Sequence, residues 1–271
     1  MPELETNREQ NAADCSLVTE LTNEAAAIAL SWFKQDPEVW WKEGKSPVSE
    51  ADYAVDTFLK EKLRAARPDY GWLSEETLDN SDRLNARRTF VVDPIDGTRG
   101  FINGMDKWCV SVAIVEDNRP VVAVLAAPVL GETIVARVGQ GVALNDTPIA
   151  VRTPGDPMVM TGSRAFLSEA SEGLEERVVK TPFIPSLAWR IAEVAAGRLD
   201  VALARGSARD WDLAAADLIV HEAGGKLTDL HGKILTYNCK STRQGTLVAA
   251  ASERFSQVLD IAKIAMNKRI D

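Results

Sequence analysis

Thr89-Phe90-Val91-Val92-Asp93-Pro94-Ile95-Asp96-Gly97-Thr98 decides how the rest of this chain is read. The apolar, β-branched run 89–92 predicts a buried strand. Asp93 and Asp96 then sit where the strand ends and a turn begins. Pro94 stiffens the link between them, and Gly97 lets the backbone turn sharply. Both carboxylates can point into one small volume, with the Ile95 carbonyl between them. Such a cluster of hard oxygens suits Mg²⁺, which takes carboxylate, carbonyl and water ligands. Thr98 adds a hydroxyl beside it. An isolated Asp-x-x-Asp more often caps a turn or a following helix; the full hexapeptide behind a strand favours the metal.

The chain has 271 residues, room for one large domain or two smaller ones. Its formal net charge of −9 gives a phosphate-backbone partner no electrostatic support, so direct nucleic-acid binding is not expected. The same field repels a small anion unless bound metal inverts the sign locally. Cys15, Cys109 and Cys239 are odd in number and far apart, which makes neither a disulfide framework nor a zinc pattern and suits a reducing cytoplasm. With only His221 and His231, a histidine-rich metal site is not expected. The polar, acidic stretch Met1–Asp14 does not read as a signal peptide, and no apolar run is long enough to span a membrane.

Outward from the Asp93–Thr98 turn, the polar segment 1–14 predicts a disordered or loosely attached start. A helix follows, with Leu17, Leu21, Ala25, Ile28 and Trp32 on one stripe, ended by Asp36-Pro37. Gly44–Pro47 reads as a loop, preceded by Trp40-Trp41; Lys45 there is either a solvated lysine or one that reaches a substrate phosphate. A second helix runs from about Glu50 to Ala66, and Gly71–Ser74 is a short strand leading into Glu75-Glu76. Beyond the turn, Cys109–Val115, Val121–Ala127 and Glu132–Val138 form a strand meander. Thr153–Pro157 marks a boundary between an α+β subdomain, 1–152, and an α/β subdomain, 153–271. The second half alternates Met158–Thr161, a helix near Leu167–Leu174, Val178-Val179, a helix Leu187–Ala196, Val201–Ala204, a helix Trp211–Ala223, a Gly-Gly turn, a strand Thr246–Ala250 and a final helix.

Further acidic residues are each ambiguous alone. Adjacent residues at a strand end point in opposite directions, so Glu75 is the better direct ligand and Glu76 a supporting carboxylate. Asp52, three residues after Ser49, fits a helix-capping box as well as a metal pocket. Asp212 opens a helix, where an acid is favourable regardless of function.

Taken in series, Ser46–Asp52, Leu73–Glu76, Asp93–Thr98, Trp211–Ala215 and Glu222–Gly225 resemble the inositol monophosphatase family, the lithium-sensitive, Mg²⁺-dependent phosphomonoesterases. The resemblance runs from about Leu17 to Ala251. It implies a layered αβαβα sandwich, commonly a homodimer, with two or three Mg²⁺ per subunit. It implies that Glu75, Asp93, the Ile95 carbonyl, Asp96 and Asp212 ligate metal, that Asp52 and Thr98 position and activate the attacking water, and that Glu76 supports them. Gly97 and Thr98 would hold the phosphate through backbone amides, and Ser186 and Ala188 would touch the alcohol.

Three positions depart from the pattern: Ser74 replaces the usual glycine, Arg99 a small residue, and Arg205 a glutamate that holds inositol hydroxyls. Arg205 and Arg209, with Trp211 nearby, read either as a solvated pair over a core tryptophan or as a second anion site. The expected activity is therefore hydrolysis of a small phosphorylated alcohol by metal-activated water. 3′-Phosphoadenosine 5′-phosphate and histidinol phosphate are alternative substrates, and a protein-binding role with the transcription machinery is the non-enzymatic alternative.

Overall fold

Residues 2–35, 37–41 and 47–267 are described by the computed structural model; the Gly44–Ser46 stretch with Lys45 lies outside them. Helix α1 (Pro2–Trp32) is followed by the paired strands β1 (Val39–Trp41) and β2 (Pro47–Ser49) and by helix α2 (Glu50–Ala66). Next come β3 (Gly71–Ser74), β4 (Arg88–Asp96), the short helix α3 (Thr98–Ile102), β5 (Cys109–Glu116), β6 (Arg119–Ala127), β7 (Glu132–Arg137), β8 (Val142–Leu144) and β9 (Thr147–Pro148). The remaining elements are β10 (Met158–Thr161), α4 (Arg164–Ala170), β11 (Val178–Lys180), α5 (Leu187–Ala195), β12 (Val201–Ala204), α6 (Asp210–Glu222), β13 (Gly225–Asp229), β14 (Leu247–Ala251) and α7 (Phe255–Asn267).

Strands β3 to β9 form a seven-stranded sheet in sequence order, parallel only between β3 and β4. A second, five-stranded sheet has the order β11-β10-β12-β14-β13. Helices α1 and α2 cover one face of the first sheet; α5 and α6 fill the space between the sheets; α4 and α7 cover the far face of the second. This is the αβαβα sandwich. Every residue of β4 is buried, because helices cover its sheet on both sides.

Two readings from sequence need correction. The first is the start of the chain. Segment 2–14 is part of α1, and Asp14 is fully buried. It accepts hydrogen bonds from the Tyr70 hydroxyl (2.7 Å), Arg88 Nη1 (2.7 Å) and Arg67 Nε (2.8 Å). Those partners are 53 to 74 residues away in sequence, so local composition does not reveal the tether. The second is the Gly-Gly turn, of which Gly225 already belongs to β13. A Cβ there would lie 2.8 Å from Val220 Cγ1 and 3.0 Å from the Ala250 carbonyl oxygen. Gly225 therefore serves close packing of α6 against the sheet edge.

Candidate active site

Strand β4 does not stop at Val92; it continues to Asp96 through a break in register. Asp93 opposes Ser111 and Asp96 opposes Cys109, so β4 spends three steps where β5 spends two. Residues three apart in a regular strand face opposite sides. The bulge removes that constraint and brings Asp93 and Asp96 to the same cleft. The sharp turn falls at Gly97, whose φ of 96° favours glycine. A Cβ at Gly97 would also meet the Ser186 nitrogen at 2.9 Å.

Glu75 follows β3, and its N–H donates to the Val92 carbonyl (3.2 Å), which extends the parallel ladder one residue and sets Glu75 beside Asp93. The segment carrying it is pinned from below by Asp56 on α2, which accepts from the hydroxyls of Ser74 and Thr77. Ser74, the departure from the glycine pattern, thus holds the strand end. Its own oxygen accepts from the Glu76 N–H (3.3 Å).

Asp52 and Asp212 share one device. Each is the third residue of its helix, and each accepts from the backbone N–H just before that helix, Ser49 for Asp52 (2.8 Å) and Arg209 for Asp212 (2.7 Å). The helix cap and the site are therefore served by the same carboxylate. Asp52 Oδ2 also accepts from the Ser49 hydroxyl (2.6 Å), while Oδ1 lies 3.2 Å from Thr98 Oγ1. Thr98 Oγ1 is also 3.0 Å from the Ile95 carbonyl oxygen, so its one proton alternates between two acceptors.

Among the described residues, Glu75, Asp93 and Asp212 each bring a carboxylate oxygen within 4.8 Å of the others. Asp96 lines the same cleft, but its Oδ2 is engaged by the Ser186 hydroxyl and the Ala188 N–H (2.6 Å) at the start of α5. Ser186 and Ala188 are fully buried, and their polar groups face Asp96 where the sequence suggested contact with a substrate alcohol. Gly97 and Thr98 line the cleft, which encloses about 710 Å³. Glu76 lies in an adjoining recess with Glu75. Arg205 is placed elsewhere: it pairs with Glu169 on α4 and lies over the Phe166 ring, 5.1 Å from its centroid. The alternation of side chains in β12, which ends at Ala204, aims the next residue at that outer helix layer. Phe183, Pro185, Ser207, Arg99, Arg209 and Trp211 complete the cleft wall. Of these, sequence reading marked Arg99, Arg209 and Trp211; Phe183 and Pro185 carry no local signal, because the connection between β11 and α5 brings them there.

Burial pushes the Asp93 carboxyl well above the usual carboxylate range, and the charges of Glu75, Asp96, Asp212 and Asp52 push it further. Asp212 is raised for the same reasons, burial first and then Asp96. Burial lifts Asp96 to about 6 against the opposing bonds from Ser186 and α5. Asp52 is also lifted by burial to about 6, opposed by its bonds to Ser49. Several desolvated carboxylates with no cation among them are unfavourable in isolation. The donor set of carboxylate oxygens and the Ile95 carbonyl fits a hard divalent cation, which would remove that penalty.

The inositol monophosphatase family model matches residues 12–265. The chain belongs to this family. Its members are phosphatases of phosphate monoesters, and so is this chain. It is 32% identical over 235 residues to the 3′(2′),5′-bisphosphate nucleotidase CysQ of Aggregatibacter actinomycetemcomitans, covering 82% of this chain and 86% of the relative. It is 33% identical over 212 residues to the fructose-1,6-bisphosphatase/inositol-1-monophosphatase of Thermotoga maritima, covering 76% and 80%. A solved inositol monophosphatase from Thermotoga maritima superposes with a TM-score of 0.82 at 27% identity over 99% of both chains. Among the described residues no helix is long and apolar enough to cross a membrane.

Proposed function

We propose that this chain is a Mg²⁺-dependent phosphomonoesterase of a small phosphorylated alcohol, with water as the attacking group. The observation that carries the reading is the convergence of Glu75, Asp93 and Asp212 within 4.8 Å beside the paired Asp52 and Thr98. Glu75, Asp93, Asp96, Asp212 and the Ile95 carbonyl would hold two or three ions. Bound Mg²⁺ supplies charge neutralisation of the phosphate, acidification of water and stabilisation of the departing alkoxide.

The protein's own part is proton handling and placement. An attacking water gives its proton to Thr98 Oγ1 while the Thr98 proton passes to Asp52 Oδ1. Asp52 Oδ1, 3.2 Å from Thr98 Oγ1, is placed to take that proton. The Gly97 turn presents backbone amides to the phosphate, and the Asp56–Ser74–Thr77 bonds keep Glu75 in register. Family membership further supports lithium sensitivity, a homodimer and a cytoplasmic setting.

The test is phosphate release with and without Mg²⁺ from inositol 1-phosphate, 3′-phosphoadenosine 5′-phosphate, fructose 1,6-bisphosphate and histidinol phosphate. Mg²⁺-dependent release from at least one is expected. Release from none, with Mg²⁺ binding demonstrated, overturns the reading and shifts weight to a protein-binding role.

A further inference from the structure

The connection from β11 to α5, Thr181-Pro182-Phe183-Ile184-Pro185-Ser186, belongs to neither a strand nor a helix. Pro182 and Pro185 have no backbone N–H to give, and each disfavours helical backbone at the residue before it. An extended segment points successive side chains to opposite sides. Ile184 is accordingly buried, while Phe183 and Pro185 on either side of it reach the wall of the carboxylate cleft. Phe183 is 53% exposed, a large apolar surface beside a group of acids.

Two neighbours fix this segment. From one side α3 packs against it: a Cβ at Gly100 would lie 2.8 Å from Pro185 Cβ, so the glycine permits the approach. From the other side Arg190 reaches back from α5. Its Nε and Nη2 both donate to the Ile184 carbonyl oxygen (3.1 and 2.6 Å). Its guanidinium lies against the Phe183 ring, 4.6 Å from the centroid.

Arg190 is buried and forms no ion pair among the described residues. Burial pulls its pKa down to about 10, against the opposing charge of Asp96. A buried cation without an ion pair is unfavourable, and an aliphatic side chain would fill the same space without that penalty. The guanidinium does two things that an aliphatic chain does not. It grips a carbonyl with a rigid fork, and it offers a flat cationic face to a ring. Phe183 is thereby held by one side and remains open at the cleft.

We infer that Phe183 is a specificity-determining wall of the cleft that takes an apolar ring face of the substrate's alcohol half, with Arg190 as its positioning residue. The inference rests on the phosphatase reading above and names the chemistry of the group that leaves. An alcohol hydroxylated all round gains little from such a wall, whereas one with an apolar face buries it there.

The test uses two esters of secondary ring alcohols, cyclohexyl phosphate and inositol 1-phosphate, in which the leaving oxygen is alike and the ring surface differs. The readout is the ratio of their kcat/KM values with Mg²⁺, cyclohexyl over inositol ester. Phe183→Ala is expected to lower that ratio by about tenfold through loss of the ring contact. The change should lie in KM for cyclohexyl phosphate, because the wall meets the alcohol alike before and during the displacement. Phe183→Tyr keeps the ring and should hold the ratio within about twofold. Arg190→Lys loses the fork and should lower the ratio by about threefold, and the double variant should lower it no further than Phe183→Ala alone. A ratio unmoved in Phe183→Ala, a Tyr variant as impaired as the Ala variant, or independent effects in the double variant overturns the inference. An unmoved ratio with a changed mass in light scattering also overturns it, and assigns the exposed ring to a contact between copies of the chain. If the wild type hydrolyses neither ester, the wall is judged by calorimetric titration of cyclohexyl phosphate with Mg²⁺ present. Binding about tenfold weaker in Phe183→Ala then supports it; equal or absent binding overturns it. Failure of the phosphatase reading is read separately, from the wider substrate panel. Phe183 is exposed, and a Mg²⁺-induced thermal shift equal to that of the wild type shows that its variants are folded.

Discussion

Replacing Asp93 with Asn separates the stability of the site from its chemistry. Asp93 is 1% exposed and shares a 4.8 Å cluster with Glu75 and Asp212. Two full charges at that distance repel by about 3.5 kcal/mol at an effective dielectric constant of ~20. The raised pKa values of Asp93 and Asp212 mean that the metal-free cluster retains protons, so part of this repulsion is already relieved. About 2 kcal/mol is then the expected gain when one charge is removed. The amide keeps the oxygen that accepts from the Ile95 N–H (3.1 Å) and adds a donor toward Asp212. In the absence of metal, Asp93→Asn should raise Tm by roughly 4–8 °C, at about 2–4 °C per kcal/mol for a chain of this size. The sign with pH follows. A carboxyl with a raised folded-state pKa contributes stability that is fully present below its unfolded value and lost as pH rises through the folded one. The advantage of the variant should therefore vanish as pH falls toward about 4. With Mg²⁺ the order reverses: the wild type gains stability, the variant gains little, and phosphate release falls by roughly a thousandfold. Calorimetry with EDTA or Mg²⁺, alongside a phosphate assay, reads all of this. A metal-free variant less stable than the wild type, or one still fully active with Mg²⁺, would refute the ligand assignment.

Three further outcomes follow from particular contacts. Asp14→Asn removes the charge shared by Arg67 and Arg88, while Arg88 keeps its pair with Glu116 (2.8 Å), and should cost roughly 1.5–3 kcal/mol in urea unfolding; a loss below about 1 kcal/mol would return segment 2–14 to the status of an appendage. Gly97→Ala combines a φ of 96° with a 2.9 Å approach to the Ser186 backbone, so it should cost at least about 2 kcal/mol and lower kcat through displacement of Thr98. Arg205→Ala should leave KM for a phosphomonoester within about twofold while losing about 1 kcal/mol of stability through Glu169 and Phe166; a large KM increase would put Arg205 back at the substrate.

How much was legible depended on whether the cause was local. Helix α2 is Glu50–Ala66, as its apolar spacing and Ser49 cap predict, because both signals lie within the segment. The Asp93–Thr98 turn was legible for the same reason, although the strand runs four residues further, to Asp96, and reconciles its two aspartates by a bulge against β5, whose register the sequence does not display. Segment 2–14 was misread because Asp14 is satisfied by distant arginines. Ser186 and Ala188 were located correctly at the start of a helix, yet their donors turn to Asp96, an outcome set by how the two sheets close on α5.

The shared duty of Asp52 and Asp212 constrains how this protein can lose activity. Each carboxylate caps a helix through one oxygen and also belongs to the site, Asp52 beside Thr98 and Asp212 in the carboxylate cluster. Alanine at either position removes a cap worth about 1 kcal/mol along with the charge, so an inactive descendant of that kind is also a less stable one. Asparagine keeps the carbonyl that receives the backbone N–H and surrenders only the anion. A lineage that abandoned hydrolysis but kept its fold for another purpose would therefore be expected to pass through asparagine at these two positions, a signature that can be sought among descendants without measuring any of them.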